Sequence, residues 1–256
     1  VNAGIHFAVE EGIAKITLDR PGRLNAIDFE MGRAYRDACV QATSGEACAI
    51  VISAKGSAFC AGGDVVAMAG EGVTGTEVTA AAHTIHEGIA ALVESPVPSV
   101  AAVQGAVAGG GLGIMLAADY IVAGPDVRLA GRYADVGLTP DLGVSTLLSR
   151  AVGERRARAM LLAGVEVDAA TALTWGALEE IADDPHARAL ELAQRWANGP
   201  SHAWGEAKRL IRLGATRPWH DSLDDEATTI GAAYDGVEAP PRIEAFVARA
   251  RQDRTP

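Results

Sequence analysis

Aromatic side chains are scarce in this chain of 256 residues, at 5% of the total. The hydrophobic class nevertheless reaches 49%, so small and branched aliphatic side chains must fill the core, and close helix packing is expected. Cations are in deficit too. Twenty-two Lys and Arg stand against 33 Asp and Glu, a net charge of −11. That excludes general nucleic-acid binding, which depends on neutralising phosphates, but leaves room for a local cationic cluster around a small anion. Cys39, Cys48 and Cys60 match no metal or redox spacing, and no His/Asp/Glu cluster has metal-ligand spacing. No metal is therefore expected, and the simplest setting is a reducing cytoplasm. Val1 to Glu11 lacks the apolar run of a secretion signal. Ser95 to Ala118 carries no charge and is long enough to span a bilayer, yet Pro96, Pro98, Gln104 and its glycines suit a buried strand and helix better. No membrane association is expected.

The length admits one large α/β domain, or one with a smaller appendage. His6 to Arg20 alternates apolar and polar residues around Glu10-Glu11-Gly12 and reads as a hairpin. Asp28 is placed to cap a helix over 29–42. Apolar runs at 47–54, 99–103 and 120–123 read as strands, and 77–93 as a helix of small residues. Gly70 to Gly75 reads as a glycine-rich linker and 124–141 as a loop region. Helices follow over 142–151, 154–163, 168–177, 185–198, 200–213, 223–234 and 240–252. The expected organisation is a sheet-bearing core over 1–190 and a helical part over 191–256, whose Ala-rich faces suit packing either on a neighbouring subunit or within the chain.

Two loops share a design. Ala61-Gly62-Gly63-Asp64 and Gly109-Gly110-Gly111 each follow an apolar strand, are rich in small residues and lead into a helix. Glycines at four of the five positions from 109 to 113 cost backbone entropy, and free N–H groups at a helix start are one gain that offsets it. If the loops are neighbours, their N–H groups converge as an oxyanion hole. If not, each is an ordinary tight turn. Other motifs fail: Gly109-x-Gly111-x-x-Ile114 lacks the last glycine of a dinucleotide fingerprint, no phosphate-binding Walker loop occurs, and Ser145 lies in no nucleophile elbow.

The run Gly56-Ser-Ala-Phe-Cys-Ala-Gly-Gly-Asp64, with Gly105-Ala-Val-Ala-Gly-Gly-Gly-Leu-Gly113 and Ala117-Ala-Asp119, resembles the crotonase (enoyl-CoA hydratase/isomerase) superfamily. Asp19-Arg-Pro21, Asn25-Ala26, Gly137-Leu-Thr-Pro140, Ala172-Leu-Thr-Trp-Gly-Ala-Leu178 and Ala207-Lys208 agree, in family order along nearly the whole chain. The resemblance implies a spiral of ββα units with a helical C-terminal part, assembled as a homotrimer or dimer of trimers. It also implies an acyl-CoA substrate, with coenzyme A present as part of the thioester and no separate cofactor. Carried over, the N–H groups of Gly63 and Gly110 would hold the thioester oxygen. Arg23, Asn25, Ala26 and Ala61 fall in the loops that the family uses for CoA, with Lys208 on a later basic helix; each could equally be an ordinary surface residue.

The sequence departs from the hydratases at the two positions where they carry glutamates, which here are Gly113 and Tyr133. Glycine offers no base, and a phenol of ordinary pKa is a poor one. Asp141, in Gly137-Leu-Thr-Pro-Asp-Leu-Gly143, matches an aspartate that related isomerase-like members use as acid/base and dehalogenase-like members use as nucleophile. It is also placed to cap the following helix. His86 matches a histidine of the dehalogenase-like branch, although Ile85 stands where an aromatic would be expected, and it could equally be a bystander on its helix. The expected activity is double-bond isomerisation of an enoyl-CoA by Asp141. The alternatives are a hydratase without its glutamate pair, hydrolysis or dehalogenation through Asp141 with His86, and a non-catalytic acyl-CoA-binding subunit.

Overall fold

The computed structural model describes residues 3–252. The hairpin forms from β1 (Ile5–Glu10) and β2 (Ile13–Leu18), with Glu11 and Gly12 both at positive φ, as a tight two-residue turn requires. A 3-10 turn over Pro21–Arg23 leads to α1 (Phe29–Ser44), whose first turn is capped by Asp28 accepting from the Met31 N–H. Next come β3 (Ala49–Ala54), β4 (Ala58–Cys60), the single turn α2 (Val65–Met68) and α3 (Gly75–Glu94). Thr74 and Glu77 close a capping box at the start of α3. The pattern repeats as β5 (Ser99–Val103), β6 (Ala106–Ala108) and α4 (Gly110–Leu116), and again as β7 (Tyr120–Ala123), β8 (Arg128–Ala130) and α5 (Val144–Val152). α6 (Glu154–Leu162), β9 (Val167–Asp168), α7 (Ala169–Trp175), β10 (Glu180–Ile181) and α8 (Pro185–Ala197) complete the first of two compact units, which ends at Ala197.

Each repeat places its two strands in different sheets. The larger sheet runs β1-β2-β3-β5-β7-β10 and the smaller β4-β6-β8-β9. Among the described residues, only the strand pairs β1/β2 and β8/β9 are antiparallel. The larger sheet is covered on both faces, which is why β3 and β5 read as continuous apolar runs. Ile50, Ile52, Ala101 and Val103 face the main core, while Val51, Val100 and Ala102 meet Ala189, Leu192 and Ala193 of α8. The helix that straddles residue 190 is thus part of the sheet-bearing unit, and the division falls between 197 and 198.

Two sequence expectations change here. The glycine loops are fed not by the long strands β3 and β5 but by β4 and β6, and the 124–141 region contains β8 and a 3-10 turn at Ala134–Val136. Strands of three residues are too short to show an alternation, and only pairing across the sheet defines them. The uncharged stretch 95–118 folds as β5, β6 and α4; among the described residues no helix is long and apolar enough to cross a membrane.

The second unit is helical, with α9 (Ser201–Gly214), α10 (Trp219–Asp235) and α11 (Ala239–Gln252). Arg209 clasps Asp225 through two hydrogen bonds of 2.7 and 2.8 Å and ties α9 to α10, with Arg217 on the same carboxylate. These guanidinium groups hold the Asp225 carboxyl well below the usual carboxylate range.

Leu192 tests the role of α8. Leu192→Ala should lower stability by about 2–3 kcal/mol, read as a lower urea midpoint. A loss under about 0.5 kcal/mol would mean that α8 adds little to the core.

Candidate active site

Parallel pairing of β4 with β6 sets the two glycine loops side by side. The approach is close: a Cβ on Gly62 would lie 2.9 Å from the Ala108 carbonyl oxygen and 3.4 Å from the Gly110 nitrogen. Gly109 sits at φ 50°, ψ −126°, a conformation open in practice only to glycine. It lets the chain leave β6 and turn at once into α4. Gly110 opens that helix, so its N–H has no partner within the helix. Gly63 bridges to Ile27, but the bonds there run from Ile27 N–H to the Gly62 carbonyl and from Asp64 N–H to the Ile27 carbonyl, 2.8 Å each. The Gly63 N–H takes no part in them.

Both loops line one cavity of about 530 Å³, within the usual range for a small-molecule site. Its walls are mostly apolar, with Ile27, Met68, Val78, Ile85, Val136 and Leu138 among them. Ala61, Gly63, His86, Gly110, Tyr133 and Asp141, all singled out from sequence, line it together.

Four aspartates reach this cavity, and their partners separate them. Asp28 pairs with Arg20, Asp64 with Arg20 and Arg23, and Asp135 with Arg132. Burial would raise the Asp64 pKa, but the Ala67 N–H and the Arg23 and Arg20 guanidinium groups together hold it below its ordinary value. Among the described residues no cation pairs with Asp141. Its Oδ1 instead accepts from the Tyr133 hydroxyl at 2.7 Å, and it lies 3.7 Å from where a Cβ on Gly110 would stand. Burial, then the adjacent Asp141 carboxylate, push the Tyr133 phenol far above its ordinary pKa. Tyr133 is therefore a hydrogen-bond donor and no base. Asp141 is not the cap of α5: Gly143 occupies that position, and no side chain caps the helix.

The segment carrying Asp141 is held in an unusual shape. Leu142 has φ 49°, a left-handed conformation costly for a branched side chain, and Gly143 follows at φ 77°. The Leu142 N–H donates to His86 Nε2 at 3.0 Å. A backbone donor needs a lone pair on that nitrogen, so the neutral ring carries its proton on Nδ1. His86 thus restrains the Asp141 segment. Leu142 had no sequence signal, yet it shapes the site: a Cβ on Gly113 would lie 2.1 Å from its carbonyl oxygen, and one on Gly110 would lie 2.7 Å from its Cδ1.

Asn25 departs from its sequence reading as a CoA contact. It is fully buried, its amide donates to the carbonyls of Lys55 and Ala58, and its Oδ1 accepts from the Arg20 N–H. Its side chain secures the turn and has nothing left for a ligand. Arg23 is half-exposed beside Asp64, Ala26 is partly buried, and Lys208 belongs to the second unit, on α9. Cys60 precedes the first glycine loop, but burial pushes its thiol up to about 12, and it donates to the Asn25 carbonyl, so it is no nucleophile.

A spiral of ββα units whose neighbouring glycine loops open on one apolar cavity is the crotonase fold. The family model described as enoyl-CoA hydratase/isomerase matches residues 8–247. A Mycobacterium tuberculosis protein named as a probable enoyl-CoA hydratase is 38% identical over 82% of both chains. The 1,2-epoxyphenylacetyl-CoA isomerase of Escherichia coli is 28% identical over 94% of both. The crystal structure of an enoyl-CoA hydratase from Polaromonas sp. JS666 superposes with a TM-score of 0.89 at 27% identity, covering 96% of this chain and 97% of that one. The chain belongs to the enoyl-CoA hydratase/isomerase family and is an enzyme of that family.

Two substitutions probe this geometry. Gly113→Glu, which places a carboxylate where the family resemblance puts one in hydratases, should displace Leu142, lower stability by about 1–3 kcal/mol and yield no water addition. A stable variant that hydrates enoyl-CoA would show that the segment yields easily. In hydrogen–deuterium exchange, His86→Leu should expose the Leu142 amide. His86→Gln, whose side-chain oxygen can accept the same N–H, should keep it protected. Equal protection in both would show that His86 does not hold the segment.

Proposed function

We propose that this enzyme moves the double bond of an enoyl-CoA, with Asp141 as its single acid/base. Asp141 takes a proton from C2 of a 3-enoyl thioester. The carbonyl oxygen becomes a dienolate oxyanion held by the Gly63 and Gly110 N–H groups. The same carboxyl returns the proton at C4, leaving the double bond between C2 and C3. Coenzyme A enters and leaves as part of the substrate.

One observation carries this reading. Asp141 is the cavity aspartate that meets a neutral phenol where the other three meet arginine. An unpaired carboxylate beside the glycine loops suits a group that gains and loses a proton. Hydration needs a second group to handle water, and the two positions that serve it elsewhere are a glycine without room for a side chain and a phenol committed to Asp141. Hydrolysis through an Asp141 ester needs a base for water, and the His86 Nε2 lone pair is engaged by Leu142. Relatives named as isomerases, among them a trans-2-decenoyl-[acyl-carrier-protein] isomerase of Streptococcus mutans at 28% identity, support isomerisation as chemistry available to this fold.

On the CoA side we assign Ala61, which lines the cavity, with the half-exposed Arg23 and neighbouring Ala26. Trp219, Ile230, Val237 and Phe246 of the helical unit are exposed apolar side chains, which suits burial between subunits of a homotrimer or a dimer of trimers. Three free cysteines fit a reducing cytoplasm.

Asp141→Asn tests the mechanism. With 2-enoyl- and 3-enoyl-CoA substrates in D2O, isomerisation and deuterium uptake should both fall by about 10²–10⁴-fold while thioester binding persists. Water addition undiminished in the variant would overturn the isomerase in favour of a hydratase. Binding without turnover in either protein would favour a non-catalytic subunit.

A further inference from the structure

We propose that Asp64 is a positioning residue that joins the CoA end of the site to the oxyanion hole, so that a phosphate on Arg23 improves the hold of the Gly63 N–H on the thioester oxygen. The proposal rests on the reading that Gly63 and Gly110 hold that oxygen and that Arg23 lies on the CoA side.

The aim of the Gly63 N–H is set by a segment remote in sequence. That N–H shares one planar peptide with the Gly62 carbonyl, and in a trans peptide the two point in opposite directions. The Gly62 carbonyl accepts from the Ile27 N–H at 2.8 Å, so the Gly63 N–H is turned away from residue 27. A shift of the 26–28 segment therefore swings the donor. Arg20 braces that segment on both sides of Ile27. Its Nη1 donates to the Ala26 carbonyl at 2.6 Å and lies 3.0 Å from the Asp28 carboxylate.

Asp64 ties this brace to the glycine loop. Its side chain is only 5% exposed, and its partners come from three places. Oδ2 lies 3.4 Å from Arg20 Nη2, while Oδ1 accepts from Arg23 Nη2 at 2.9 Å and from the Ala67 N–H at 3.2 Å. Capping α2 needs only the last of these bonds, and any short polar side chain could supply it. The two arginines are what a cap does not explain. Among the described residues Arg23 makes its side-chain bonds through Nη2 alone, so Nη1 and Nε are left for a second anion. Its side chain is 49% exposed, and an ion pair so wet contributes little. A phosphate on the outer edge of the guanidinium takes it from water and fixes its long side chain, which strengthens the inner bond to Asp64. The tightening passes through Asp64 to Arg20 and the 26–28 segment, and so to the peptide that carries the Gly63 N–H.

A 3-ketoacyl thioester reads the oxyanion hole without turnover. When it loses its C2 proton to water, the electron pair moves onto the thioester oxygen and the enolate absorbs in the near ultraviolet. Acetoacetyl-CoA and acetoacetyl-pantetheine differ only in the nucleotide and its phosphates. With the enzyme saturated by each in turn, the parent should favour the enolate of the CoA thioester by about fivefold or more over that of the pantetheine thioester. Asp64→Asn, which keeps a capping oxygen for α2, should abolish the difference by lowering the CoA value. Asp64→Ser serves the same purpose should Asp64→Asn misfold. Equal enolate from both thioesters at saturation in the parent would confine Arg23 to affinity and overturn the proposal. A variant that lowers both values alike and keeps their ratio would make Asp64 structural only and overturn it too. Because no double bond moves, a phosphate-dependent enolate stands even where Asp141→Asn refutes the isomerase. Binding of both thioesters with no enolate in the parent would sink the reading of Gly63 and Gly110, and the coupling with it.

Discussion

The close approach of backbone to backbone where β4 pairs with β6 is the constraint on which the site depends. Three glycines make it possible. A Cβ on Gly62 would press on the Ala108 carbonyl, one on Gly111 would come within 2.3 Å of the Cys60 carbonyl, and one on Gly113 would strike Leu142. With no side chains there, α4 packs directly on β4 and the 141–143 segment packs directly on α4. Gly63, Gly110 and Asp141 come to line one cavity as a result. The entropic cost of so many glycines is offset by this proximity rather than by local conformational preference.

The same close packing accounts for the space around position 113. No side chain fits at 113, because the Leu142 backbone, in a left-handed conformation, already occupies the space. Tyr133 and His86 then secure the segment from either side of the bend, one through the Asp141 carboxylate and the other through the Leu142 amide. Both bonds are partly buried, and satisfied bonds shielded from water rigidify what they join. The carboxylate is consequently positioned by its neighbours and not by a helix of its own.

Much of this was legible in residue order. The alternation in β2, the apolar runs of β3 and β5 and the capping aspartate at 28 are local signals, and the helices from 154 onward appear within a few residues of their expected ends. β4, β6 and β8 were not legible, because three residues carry no periodicity and only cross-strand partners make them strands. Asn25 misled for a related reason. An asparagine in a turn reads as exposed, and the three hydrogen bonds that bury it come from residues 20, 55 and 58.

The sequence by itself determined the family, the two glycine loops, the single aspartate at 141 and the want of a carboxylate at 113 and 133, since all of these are matters of which residue stands where. Tertiary structure decided what those residues meet. It set Arg20, Arg23 and Arg132 against three of the four cavity aspartates, gave Tyr133 to the fourth, and made His86, a possible partner of Asp141 or a bystander by sequence, the acceptor for an amide 56 residues away. Pairing, burial and hydrogen-bond direction are properties of distances between parts of the chain remote in sequence, and those distances exist only once the sheets have closed.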